Sequence, residues 1–364
     1  MSTNPLRATG QQLAILVAFC LLVAGCAEPV TSSVRFAYVA NVLDNTISMY
    51  TVTSTGRWTP TAPATVAAGP QPETITVDAQ GKFAYVCNTG NATIGMYAID
   101  QETGVLTPLS PATVPSGALA QDFTLHPSGN FAYTANTTDG TVSVFSVNKT
   151  TGQLTPTATV TVPGYSVANP TAVTVSPSGK FLYVVAQYIE IYSIDATTGG
   201  LTILPEAHIF PGLRPFKLTF DPTAQFAFVP DNGSSSVYEF AVNSTTGTLA
   251  ALASSPIAAG DQPSWVALNP TGTFAYVSDR LGNAISTFDV ASATGVLTPL
   301  SSNAATNTNN PWPILFDPSG KMVYILNEAG SVTSYAANED GSLTYLSSVS
   351  TGRVPTSFAL VPSL

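Results

Sequence analysis

Seven near-copies of Phe-Ala-Tyr-Val pace this 364-residue chain, beginning at Phe36, Phe83, Phe131, Phe181, Phe226, Phe274 and Met322. One copy therefore returns every 45 to 50 residues. A fixed period of that size marks one supersecondary unit copied along the chain. Within each period four short apolar segments alternate with turn signals, which is the pattern of strands and not of helices. In the second period they are Thr74–Val77, Phe83–Cys87, Thr93–Ile99 and about Leu106–Val114, here strands A to D. Pro-Ser-Gly-Lys at 177–180 and 318–321 supplies an A–B turn, and Thr-Gly at 103–104, 151–152 and 294–295 a C–D turn. Proline presets φ for a turn and glycine accepts positive φ. Proline also precedes strand A at Pro72, Pro170, Pro215, Pro263, Pro311 and Pro355, with Ala120 the exception.

Four antiparallel strands in about 48 residues predict the blade of a β-propeller. The first copy, Arg35–Ala40, reads as a strand B with no A before it. Residues 355–362 read as a strand A with no B after it. The two ends are therefore expected to complete one blade together, which removes an open sheet edge. The fold predicted is all-β: seven four-stranded antiparallel blades over 35–364, closed by pairing the N-terminal strands with the C-terminal one.

Gly81–Asn88, Gly-Lys-Phe-Ala-Tyr-Val-Cys-Asn, resembles the YVTN repeat of lactonase-type seven-bladed propellers. These include 6-phosphogluconolactonase-like and muconate-cyclising proteins. The resemblance covers about 330 residues and implies the same architecture. It also implies two catalytic elements: an Arg-His pair opening one strand A, and Asn-Glu after a strand B. Here Gly212-Leu213-Arg214-Pro215 keeps the arginine but puts proline in the place of histidine. Asn327-Glu328 matches the second element in another blade.

The N-terminus reads as a lipoprotein signal over 1–25. Arg7 precedes an apolar run, Leu13 to Val23, which is too short to span a bilayer. Val23-Ala24-Gly25-Cys26 resembles a lipobox, so Cys26 is the expected acylation site, with 26–34 as a tether. Multiple acyl chains anchor stably, at about 0.8 kcal/mol per buried methylene. Ala27 in the following position favours an outer-membrane destination in the cell envelope, facing the periplasm or the exterior. Cys87 is then the remaining thiol of three cysteines, and its expected role is a small buried hydrophobe. A net charge of −10 without a basic stripe argues against nucleic acid.

Strand direction places the A–B and C–D turns at one end of the ring and the B–C and D–A loops at the other. That second end is the expected mouth. It collects Arg214, Lys217, Arg280, Arg353, Glu73, Asp122, Asp231, Asp279 and Glu328, with Trp265 and Trp312. Such a set suits a small polar ligand such as a sugar or carboxylic acid, or an envelope protein; the same charges would serve equally as blade-to-blade salt bridges. Arg214, Lys217, Trp265, Asp279, Arg280, Trp312 and Glu328 are the candidate ligand contacts. If the chain hydrolyses a sugar lactone, Arg214 or Arg280 would polarise the carbonyl and Glu328 or Asp279 would activate water. Fold alone does not choose between a binding module and a hydrolase. His126 aligns with Asp78, Ser176, Asp221, Asn269 and Asp317, so it reads as a turn cap. His208 is placed in an outer strand D. No metal or cofactor motif is present. Departures from the repeat are expected in the loops after strand B, around Asn41, Asn88, Asn136, Ala186, Asp231, Asp279 and Asn327.

Overall fold

The computed structural model describes residues 35–164, 169–205, 208–300 and 308–361. The expected signal, the tether and Cys26 lie outside the described residues. The described strands form seven antiparallel sheets, each a blade ordered A-B-C-D outward from the axis. Blade 1 joins Pro355–Leu360 to Arg35–Asn41, Thr46–Val52 and Trp58–Ala67. Blade 2 is Pro72–Val77, Phe83–Asn88, Thr93–Ile99 and Leu106–Pro115; blade 3 is Ala120–Leu125, Phe131–Asn136, Thr141–Val147 and Leu154–Thr161. Blade 4 runs Ala172–Val175, Phe181–Val185, Ile189–Ile194 and Leu201–Ile203. Blade 5 runs Thr219–Phe220, Phe226–Asp231, Ser236–Val242 and Leu249–Ala251, with Ile257–Ala258 also pairing to its strand C. Blade 6 is Pro263–Leu268, Phe274–Asp279, Ala284–Val290 and Leu297–Pro299; blade 7 is Pro311–Phe316, Met322–Asn327, Ser331–Ala337 and Leu343–Ser350. The predicted closure is present, with Ala37 opposite Leu360 and Val39 opposite Phe358.

Contacts between blades explain why strand B repeats. In five of the copies the Tyr sends its hydroxyl to a glycine carbonyl in the C–D turn of the next blade. Tyr38 donates to Gly104 at 2.8 Å, Tyr85 to Gly152 at 3.0 Å, Tyr133 to Gly199 at 3.0 Å, Tyr183 to Gly247 at 2.7 Å and Tyr276 to Gly341 at 2.9 Å. Each such bond contributes about 1 kcal/mol. The Phe that opens six of the copies packs its ring on that turn glycine, and Met322 packs its side chain there in the seventh. A Cβ on Gly104 would stand 2.2 Å from the Phe36 ring, and φ there is +72°, so glycine satisfies both the turn and the close approach. In blade 5 Phe228 replaces the Tyr and fills the buried site without a hydroxyl.

The inner strands are stitched sideways as well. Threonine hydroxyls of strand A donate to carbonyls of the neighbouring strand A: Thr356 to Glu73 at 2.7 Å, Thr74 to Gln121 at 2.7 Å, Thr174 to Leu218 at 2.9 Å and Thr219 to Val266 at 3.0 Å. One blade departs from its siblings at the start of strand D. Trp58 stands where Leu106, Leu154, Leu201, Leu249, Leu297 and Leu343 stand elsewhere. It packs on Tyr50, Tyr324 and Phe358 with ring centroids 5.3, 5.3 and 6.0 Å away, filling the junction of blades 1 and 7.

The A–B turns are capped as the alignment of His126 implied. Asp78, Ser176, Asp221, Asn269 and Asp317 accept from the first amide of strand B. His126 accepts from the Ser128 amide and reaches the Gly179 carbonyl of the next blade at 2.8 Å. His208, however, is not in a strand. The outer strand of blade 4 stops at Ile203, and His208 sits in the connection beyond it, stacked on Tyr188 at 3.9 Å and paired with buried Glu190 at 2.5 Å.

Candidate functional site

The mouth is built on a local irregularity of strand A. In blades 1, 2, 3, 6 and 7 the A–B register slips just after the strand begins, as between Pro72 and Ile75 or Pro263 and Trp265. A bulge of this kind sets two consecutive residues against one partner, so both can face the axis. The result is a cavity of about 240 Å³ to which strand A, or the segment leading into it, contributes in every blade. Glu73 and Thr74, Gln121 and Asp122, Thr171 and Ala172, Phe216 and Lys217, Ser264 and Trp265, Trp312 and Pro313, and Thr356 and Ser357 line it, blade by blade.

The wall has two characters. Blades 5 to 7 present aromatic faces: Phe216 meets Trp312 edge-on at 5.3 Å, and Trp265 stands beside them. Blades 1 to 4 present hydroxyls, an amide and carboxyls from Thr356, Ser357, Thr74, Glu73, Gln121, Asp122 and Thr171. Lys217 crosses the cavity to Asp122, 2.9 Å from the carboxylate, and lies 5.9 Å from the Trp265 ring centre. Asp122 also accepts the Val173 amide at 3.0 Å. On the rim, Arg280 donates to Glu328 through Nε and Nη2 at 3.1 and 2.5 Å, and its guanidinium covers Trp312 at 4.6 Å. Both cations thus sit on aromatic rings and on carboxylates, the arrangement of cation–π and ion pairing together.

Glu73 differs from these pairs. Among the described residues no ion pair or hydrogen bond holds its carboxyl group. Burial in the channel pushes it up to about 7, and the Glu328 carboxylate adds repulsion. A carboxyl group with that value exchanges protons near neutrality, where general acids and bases work best.

Of the expected contacts, Lys217, Trp265 and Trp312 line the cavity, and Arg280 and Glu328 close over its rim. Arg214 does not join them: its side chain is exposed on the D–A loop, and only its backbone is engaged, through the Asp231 carboxylate at 2.5 Å and the Asn232 amide. Asp279 is turned away from the cavity. It is buried beneath the preceding loop, accepts from Ser286 at 2.7 Å, and fills the space a Cβ on Gly260 would need; burial pushes it up to about 6. The same job falls to its counterparts. Asn41, Asn136 and Asn327 accept from amides of Gly352, Gly117 and Asn309, and donate to strand C hydroxyls. Asp231 accepts from Leu213, Arg214 and Ser234. The position after strand B is thus a loop cap, and the departures sought there lie instead at the start of strand A. Gln121, Thr171, Phe216, Ser264 and Thr356 are lining residues that sequence reasoning missed. Among the described residues no group of three His, Cys, Asp or Glu side chains converges as a metal site.

Solved structures share this architecture. Candidate 6-phosphogluconolactonases of Bacteroides uniformis and Bacteroides fragilis superpose with TM-scores of 0.80 each. They are 23% and 22% identical, over 90% and 91% of this chain and 100% and 99% of theirs. A periplasmic gluconolactonase of Pseudomonas aeruginosa gives 0.77 at 20% identity, over 91% of this chain and 100% of its own. No curated protein matches the chain. A family model described as lactonase, 7-bladed beta-propeller matches residues 30–168, 122–268 and 172–361. Ring closure, repeat and family match agree, and the chain belongs to the seven-bladed lactonase β-propellers.

Proposed function

We propose that the axial cavity binds a small, ring-shaped polar ligand of the sugar or sugar-lactone class, in a protein held at the cell envelope by acylated Cys26. The observation that carries this reading is the division of the wall. An aromatic side formed by Phe216, Trp265 and Trp312 faces a hydrogen-bonding side formed by Thr74, Gln121, Thr171 and Thr356. A sugar ring has the same two characters, C–H faces and hydroxyl edges, and a cavity of about 240 Å³ is of the scale of one or two such rings. The likeness to the periplasmic gluconolactonase of Pseudomonas aeruginosa supports the same ligand class. Trp265 and Trp312 are two of three tryptophans in the chain, so their emission reads occupancy directly. Titrating aldonolactones, aldonates and neutral monosaccharides should quench it, and Trp312→Ala should weaken binding at least tenfold. No quenching and no rise in Tm at millimolar ligand would sink the proposal.

Hydrolysis is a second reading, and unpaired Glu73 is what favours it. Arg214 and Asp279 stand away from the cavity, and Arg280 and Glu328 hold each other on its rim, so chemistry inside would fall to Glu73 and Lys217. Glu73 would take a proton from water as the water oxygen bonds to the lactone carbonyl, whose oxygen Lys217 polarises. The ring C–O bond then breaks and the ring oxygen takes the proton, leaving a hydroxy acid. A pH-stat assay on aldonolactones decides it: turnover lost in Glu73→Gln supports this step, and equal rates in wild type and variant exclude it. For the anchor, a Cys26→Ser chain is expected to leave the membrane fraction; continued partitioning refutes lipidation.

A further inference from the structure

The described charges that line the cavity and its rim cancel in pairs and leave one carboxyl group over. Lys217 is neutralised by Asp122 and Arg280 by Glu328. On the lip nearby, Arg353 is neutralised by Asp44 at 2.6 Å. Among the described residues Glu73 is the remaining ionisable group on the cavity wall, so the net charge a ligand meets from them is the charge of Glu73. The groups facing it can be named element by element. Glu328 approaches from the B–C loop of blade 7 and Asp122, with its lysine, from blade 3 and across the channel. The buried Cys87 thiol lies behind, within reach of Asp122, Glu73 and Lys217. Blade 1, on the other side, presents Thr356 and Ser357, neither ionisable.

We propose that Glu73 is the charge filter of the channel: protonated, it admits ligands that carry a carboxylate, and ionised, it admits neutral ligands alone. This rests on the cavity being the binding site and adds which chemical form it takes. Among the described residues the cations at the cavity, Lys217 and Arg280, are already paired with carboxylates, and a second negative charge within a few ångströms of ionised Glu73 in a partly desolvated space is strongly disfavoured. The filter has a direction. A neutral lactone enters a mouth holding ionised Glu73, whereas the corresponding acid is repelled from the same mouth. The raised value of Glu73 puts the change of state within reach of ordinary environmental pH.

Two small quenchers test the filter without knowledge of the ligand. Iodide and acrylamide, one anionic and one neutral, are used on the full chain to quench Trp265 and Trp312 from pH 5.5 to 8.5. Iodide quenching should weaken by about three- to tenfold across that range, while acrylamide quenching stays constant. In Glu73→Gln, iodide should quench equally at both ends. A flat iodide profile in the wild type, or an unchanged pH dependence in the variant, overturns the proposal. A parallel titration uses gluconate and its neutral amide. Weakening of gluconate alone as pH rises supports the filter, and equal pH behaviour of the two overturns it. If neither binds, the sugar-class reading falls and the quenchers still decide the filter.

Discussion

Strand B of every blade is buried along almost its whole length, whereas strand A opens with two residues that face the cavity and differ from blade to blade. Both elements keep the same period. The neighbours of a strand B side chain are themselves copies of the unit: Tyr85 sees the Gly152 carbonyl as Tyr133 sees that of Gly199. A position surrounded by repeats can repeat. The opening of strand A faces an axis where no copy of the unit stands, so Glu, Gln, Thr, Phe, Ser and Trp all occur at one register position. Sameness in this chain reports contact between blades, and difference reports contact with something else.

That contrast can be broken at several points. The largest effect belongs to Phe131→Ala, which empties the space over Gly199 between blades 3 and 4. It should cost about 3–5 kcal/mol, read from the urea midpoint; a loss below 1 kcal/mol would detach the repeat from ring stability. Asn136→Ala comes next. It removes an acceptor for the Gly117 amide and donors to Thr141 and Ser143, and about 2–3 kcal/mol should go with them. Glu73→Gln should act in the opposite direction, because its position serves the cavity and not the ring. A carboxyl group raised in the fold binds more protons there than in the unfolded chain between its two values, about 4.3 and about 7. Wild-type stability therefore falls as pH rises through that window. The variant should match the wild type at pH 4 and exceed it at pH 8, by on the order of 1–2 kcal/mol; an equal gain at both pH values would show a cause other than ionisation. Smallest is Tyr276→Phe, which deletes one hydroxyl bond to Gly341 and should cost about 1 kcal/mol. Phe228 already makes that change in blade 5. A cost near zero at Tyr276 would mean that the aromatic ring alone joins the blades.

The fold was legible because its glue repeats. Phe, Tyr and the turn glycines recur together since each touches the others across a blade boundary. Half of the cavity was legible too. Lys217, Trp265 and Trp312 stand out as rare residue types at the predicted mouth, and Glu73 and Asp122 belong to the same ring of charges. Two features escaped. The bulge at the head of strand A breaks the two-residue alternation, so Ser264 and Trp265 both reach the cavity where alternation allots it only one. Asp279 was misread because charge drew attention, although its alignment with Asn41, Asn88, Asn136 and Asn327 already marked it as a cap. In this chain an aspartate that replaces a repeated asparagine inherits the asparagine's loop before it inherits any chemistry.

The lone tryptophan outside the cavity has a use of its own. Trp58 is packed among Tyr50, Tyr324 and Phe358, where blade 1 with its C-terminal strand meets blade 7, and it is 5% exposed. Its emission will shift when blades 1 and 7 part, whatever the ligand does. Chains reduced to Trp58 alone, or to Trp265 and Trp312, would therefore time two events separately, the unlatching of the ring and the filling of its axis. Should the inner pair change first during unfolding, the axis loosens before the latch gives way.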